Sequence, residues 1–221
     1  MMADPKAISG YDKNIVLSVT LNAMGQLQAL MGSSEEARAF YRRALTLLPS
    51  FTEPGLNLAE LYLEKKGSFD KNWATRAESL LLDVQRIEPA SLRCLILLGT
   101  LYANPVFGRD DDAIALFEKA MPHPEAGMRL AGIFFNQGKP VDAIGPLQSS
   151  LKQAPTDSGR LFLTRCALAL PATDLRKRQL LQSCLHFLEK LGGSDDPDRS
   201  TSDKSDAVSL LPRVKDALNA V

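Results

Sequence analysis

Residues 37–44, Ala37-Arg38-Ala39-Phe40-Tyr41-Arg42-Arg43-Ala44, set two small side chains seven positions apart with an aromatic ring between them. On a helix, residues three and four apart share a face, so Ala37, Tyr41 and Ala44 form one stripe that runs small, large, small. The stripe returns along the chain. Ala77 is followed by Leu81 and Val84, Ala113 by Phe117 and Ala120, and Ala143 by Leu147 and Ser150. The four alanines are 40, 36 and 30 residues apart, close to the ~34-residue period of a repeat built from two helices. Upstream of each, a small residue (Gly25, Ala59, Gly99, Ala131) precedes Gln28, Tyr62, Tyr102 or Phe134 by three positions, and Pro49, Pro89 and Pro155 close three of the units.

Small residues are needed where two helices pack closely, because a larger side chain would push the axes beyond their usual ~8–10 Å separation. The large residues fill the space between one helical pair and the next, and the prolines stop the second helix by removing a donor from its ladder. A single pair leaves one face bare, so the pairs must stack. The pattern predicts helices at about 34–48, 52–66, 71–87, 91–103, 124–137 and 140–153, with a first helix ending near Gly32 and another starting at Asp110-Asp111-Asp112. Three acids there suit a helix amino terminus. The third repeat ends early, at Met121-Pro122-His123-Pro124, so its second helix is expected to be one turn short. Long turns are expected at Gly67–Trp73 and Asn104–Gly108.

These residues resemble the tetratricopeptide-repeat (TPR) pattern over residues 18–157. The resemblance implies an all-α, right-handed superhelical solenoid of about five helix-turn-helix pairs with a short C-terminal helical segment. The fifth pair, about 158–170 and 173–190, has lost the alanine signature, as terminal repeats do. The expected division is a flexible amino terminus at 1–11, the solenoid at 12–191, a Gly/Ser/Asp linker at 192–205 and a C-terminal helical segment at 206–221, kinked or divided at Pro212.

Within the family, Leu95–Ala167 looks like the later repeats of the smaller TPR scaffold subunit of the anaphase-promoting complex. The likeness rests on Leu98-Gly99-Thr100-Leu101-Tyr102, the Asn104-Pro105-Val106 turn and Asp142-Ala143-Ile144. It implies a ubiquitin-ligase scaffold with a cell-cycle role. The alternative is a structural subunit of a trafficking, ciliary or organelle assembly; an enzyme is a distant third.

Lysine plus arginine (26) equals aspartate plus glutamate (26), so no global field draws nucleic acid or anionic lipid. No apolar run approaches the ~20 residues of a membrane span, and no secretion signal is expected at the amino terminus. Three cysteines (Cys94, Cys166, Cys184) without paired spacing suit a reducing cytoplasm or nucleus. No phosphate loop or clustered metal ligands are visible, and Cys184 and His186 lie two apart, a spacing that turns helical side chains to different faces. No catalytic, cofactor or metal residue is therefore expected.

The partner expected is a protein or peptide segment, with the chain forming part of a larger complex. In TPR arrays the first helix of each pair lines the inner wall. The fifth repeat position reads Asn22, Leu56, Ile96, Met128, Phe162, turning from polar to apolar along the chain. With Leu63, Gly132 and Phe135 this predicts a trough for an amphipathic helix or extended peptide; the alternative is that the same side chains pack against the fifth pair or the C-terminal segment. Of the TPR pattern that grips a terminal carboxylate, only Asn57 and Arg93 survive, so a chaperone-tail receptor is not expected. Phe69 and Trp73, in the first long turn, are candidate loop contacts or staples for the next helix.

Overall fold

The protein is described by a computed structural model that covers residues 5–68, 70–193 and 200–220, with side chains from residue 13 onward. Eleven α-helices and no strand occur among these residues. The chain divides into two compact units, residues 1–116 and 117–221.

In the first unit, α1 (Pro5–Leu30) and α2 (Ser34–Leu47) pair, as do α3 (Glu53–Lys65) and α4 (Trp73–Ile87), and α5 (Leu92–Tyr102) packs on both α3 and α4. Helix α6 (Asp110–Ala120) crosses the boundary between the units. In the second unit α7 (Pro124–Asn136) pairs with α8 (Pro140–Gln153), followed by α9 (Asp157–Ala169), α10 (Arg176–Gly192) and α11 (Thr201–Ala220). The four repeat alanines, Ala37, Ala77, Ala113 and Ala143, have no exposed surface, and their large partners Tyr41, Leu81, Phe117 and Leu147 are buried.

The pairs approach so closely that a methyl group would not fit at two positions. A Cβ on Gly25 would sit 2.5 Å from the Tyr41 ring, and one on Gly127 would sit 2.6 Å from the Pro146 carbonyl oxygen. Ser150 reinforces the second approach by donating to the Pro124 carbonyl at 2.7 Å. The turns after α1 and α7 are alike. Gly32 and Gly138 hold φ of +80° and +73°, and the next residue donates back across the helix end: Ser33 to Gln28 at 2.9 Å, Lys139 to Phe134 at 2.8 Å. This left-handed cap suits glycine, which has no Cβ to clash.

The two expected long turns have their own fastenings. After α3 comes a short 3-10 turn, Lys66–Ser68. Trp73 then opens α4 as a buried side chain rather than an exposed contact; Phe69 lies outside the described residues. In the second turn, Asn104 accepts from the Val106 amide at 3.1 Å, and Arg109 stacks 3.9 Å above the Tyr102 ring while pairing with Glu78 at 3.2 Å and Asp112 at 2.7 Å.

Three boundaries differ from the sequence reading. Helix α1 begins at Pro5, taking in residues 5–11 that lack apolar periodicity and were expected to be irregular. At the other end α11 starts at Thr201, inside the stretch expected to be linker; residues 194–199 of that stretch lie outside the described residues. Pro212 neither divides nor ends α11. It lies on the exposed side, four residues after exposed Val208, so the carbonyl it leaves without a helical donor can turn to water. Ala207, Leu210 and Val214 on the other side of α11 are buried against Leu161 of α9 and Leu181, Leu188 and Leu191 of α10. The C-terminal helix therefore docks within the second unit.

Gly127→Ala is expected to destabilise the protein by about 1–3 kcal/mol through overpacking. Gly132→Ala, in a helix position where nothing lies within 4 Å, is expected to be neutral or stabilising by up to ~1 kcal/mol. Urea unfolding followed by circular dichroism measures both.

Candidate functional site: the inner row of the first unit and a basic groove in the second

The inner row of the first unit is built around a polar chain. Asn57 on α3 donates to Asn22 Oδ1 on α1 at 2.9 Å, and its own Oδ1 accepts from Arg93 Nη2 on α5 at 2.7 Å. Arg93 also pairs with Glu53 at 3.0 Å and with Glu60. Asn22 and Asn57 are buried, so each bond spares a polar group that would otherwise be stranded. The apolar members of this row are core: Leu56 is 2% exposed and Ile96 5%. The expected groove wall is thus corrected at Leu56 and Ile96, which adjoining helices cover. Asn57 and Arg93, the two matches to the carboxylate-gripping pattern, are already engaged with Asn22, Glu53 and Glu60. The Tyr41 hydroxyl, beside this network, is held above its ordinary value, chiefly by burial, with Glu60 adding to the shift and Arg93 opposing it.

In the second unit, Met128, Phe135 and Phe162 are half-buried and pack against Ala131, Ala143, Ile144, Leu147 and Cys166. Phe135 and Phe162 meet edge to face at 5.5 Å. At Gly132 of α7 nothing lies within 4 Å of where a Cβ would stand. The structure therefore brings together the later members of the predicted trough.

A cavity of about 650 Å³ opens between α8, α9 and α10. Its apolar lining comes from Leu151, Leu163 and Phe187, while Lys152, Arg160 and Lys190 stand exposed around it. Among the described residues, none that lines it is acidic. Arg160 lies 5.3 Å from the Phe187 ring centroid, which holds the guanidinium over the apolar surface. These cations come from three helices spread over nearly forty residues, and no local sequence signal marks them as a group.

Cys184 and His186 both line this cavity despite their two-residue spacing. Burial pushes the Cys184 thiol above its ordinary value, with the Thr164 hydroxyl partly opposing. A protonated thiol at neutral pH is a poor nucleophile. Burial likewise pushes Cys94 and Cys166 up to about 11, and Cys94 Sγ donates to the Leu81 carbonyl at 3.2 Å. No group of three or more His, Cys, Asp or Glu side chains able to hold a metal occurs among the described residues. No described helix is long and apolar enough to cross a membrane.

Paired helices, small residues at their closest approach and glycine-capped turns make this a protein with the TPR fold. No protein-family model and no curated protein matches the sequence. Solved structures do match in fold. PilF of Pseudomonas aeruginosa superposes with a TM-score of 0.68 at 15% identity, over 96% of this chain and 90% of that one. MamA gives 0.65 at 15% identity, over 83% and 98%. PilW, a type IV pilus biogenesis factor, gives 0.64 at 17% identity, over 90% of each chain.

Asn57→Ala should cost about 1–3 kcal/mol by stranding Asn22 and loosening Arg93, whereas Asn22→Leu combined with Asn57→Leu should cost less than the sum of the two single changes. A double-mutant cycle in urea reads the coupling. The three thiols should resist a thiol-reactive dye in the native protein at pH 7 and all label in denaturant, as mass spectrometry would count.

Proposed function

We propose that this chain is a non-enzymatic interaction scaffold whose second unit binds an acidic amphipathic protein segment. The observation that carries the reading is the groove between α8, α9 and α10: an apolar floor at Leu151, Leu163 and Phe187, ringed by Lys152, Arg160 and Lys190. An amphipathic helix would lay leucines or aromatics on the floor and set its carboxylates against the ring. Cations kept on an apolar surface form stronger pairs than the same cations in open water, because fewer waters compete. The neighbouring Met128–Phe135–Phe162 trough supplies a second apolar surface for a longer partner.

A second reading, a structural subunit of a multiprotein assembly, draws support from the likeness to PilW, a pilus biogenesis factor. The narrower role in an anaphase-promoting-type ubiquitin ligase rests on the 95–167 sequence likeness alone, and a cytoplasmic or nuclear placement on three cysteines without paired spacing.

A fluorescent helical peptide with leucines on one face and glutamates on the other is the direct probe. Its anisotropy should rise with added protein, and its affinity should fall at least about tenfold for the Lys152→Glu, Arg160→Glu, Lys190→Glu triple variant. Raising the salt should also weaken binding. Equal binding by the triple variant, or by a peptide with lysines in place of the glutamates, would exclude this groove as the site.

A further inference from the structure

Helix α1 has one face inside the first unit and one outside. Ser18, Leu21, Asn22 and Gly25 are buried, with the Ser18 hydroxyl donating to the Ala44 carbonyl of α2 at 3.0 Å. On the opposite face Val16, Val19, Ala23, Leu27 and Leu30 are exposed, and Leu17, Met24 and Met31 flank them. The exposure is large: 65% for Val16, 56% for Leu27 and 86% for Leu30. Thr20 does not interrupt this face, because its hydroxyl donates to the Val16 carbonyl of its own helix at 2.8 Å. Between Lys13 and Glu35 the sequence holds no charged residue.

The later first helices of this unit are covered on the corresponding side, α3 by α2 and α5 by α4. A repeat face left in water is polar, and this face of α1 is apolar. Its occupant must itself be uncharged and apolar, since a charged surface would lose its hydration without a partner. The spacing selects further. Positions 16, 19, 23, 27 and 30 are separated by three, four, four and three residues, a pattern that reads the same in both directions about Ala23. A second α1 running antiparallel would set Val16 against Leu30, Val19 against Leu27 and Ala23 against itself. The small residue then falls at the crossing point, where the axes come closest. Such self-complementarity is what a two-fold interface requires.

We propose that α1 is a homodimer interface, in which two copies of this chain pair their α1 helices antiparallel about a two-fold axis at Ala23. Association through a single pair of helices is reversible and depends on concentration.

Sedimentation equilibrium of the full chain across the micromolar range should show a mass rising from one chain to two. Leu27→Glu, at an exposed site, should weaken the dimer at least about tenfold while the helical circular dichroism is kept. Should that variant misfold, cysteine cross-linking tests the geometry independently. With copper–phenanthroline as oxidant, Ala23→Cys should form a disulfide-linked dimer, and a mixture of Val16→Cys and Leu30→Cys proteins should do the same, whereas Val16→Cys alone should not. A one-chain mass at every concentration, a dimer untouched by a folded Leu27→Glu variant, or efficient self-cross-linking of Val16→Cys would each overturn the proposal.

Discussion

The closest approach of two paired helices is the constraint on which the rest of this structure depends. Where α1 meets α2, Gly25 lies under the Tyr41 ring, and where α7 meets α8, Gly127 lies against the Pro146 carbonyl. The repeat alanines are completely enclosed for the same reason. Packing at this distance leaves no freedom to add a methylene, so the small positions recur even where the turns between helices do not. The turns vary freely because they lie at the ends of the hairpins. A glycine cap serves after α1 and α7, a 3-10 turn after α3, and an asparagine turn clasped by Arg109 after α5.

Enclosure has a second consequence, for where a partner can bind. In the first unit the inner row is linked across three helices by Asn22, Asn57 and Arg93, and the last of these is neutralised by Glu53 and Glu60. Groups able to grip a ligand are engaged with one another. In the second unit the charges are segregated instead, with Lys152, Arg160 and Lys190 around an apolar floor and no acid among the described lining residues. A formal net charge of zero describes neither surface. Electrostatic recognition depends on the local arrangement, since screening limits the reach of each charge to ~8 Å at physiological salt.

The repeat itself was legible in the chain. A helix of known pitch turns the stripe Ala37, Tyr41, Ala44 into a buried face without reference to anything remote, and most helix ends fell within two residues of the prolines, glycines and acids that mark them. Boundaries were missed where those marks mislead. Residues 5–11 have no apolar stripe yet continue α1, and Pro212 sits on the wet side of α11, where a lost hydrogen bond is replaced by water. The site was less legible. Repeat position shows which way Leu56 and Ile96 point, but not that neighbouring helices close over them. Nor does it show that the Phe135 and Phe162 rings, from different helices, meet edge to face.

What the sequence by itself determined is therefore the run of repeat helices, their pairing and the repeat alanines at their contacts, because these follow from short-range periodicity and side-chain size. Only the tertiary structure decided which faces remain open. The pairing of Asn22 with Asn57 and the gathering of Lys152, Arg160 and Lys190 join residues far apart in the chain. Even the uncharged run in α1 acquires its meaning only once Ser18, Leu21 and Gly25 are seen to be its buried side. Exposure is a property of what packs on a residue, and packing partners are chosen by the fold as a whole.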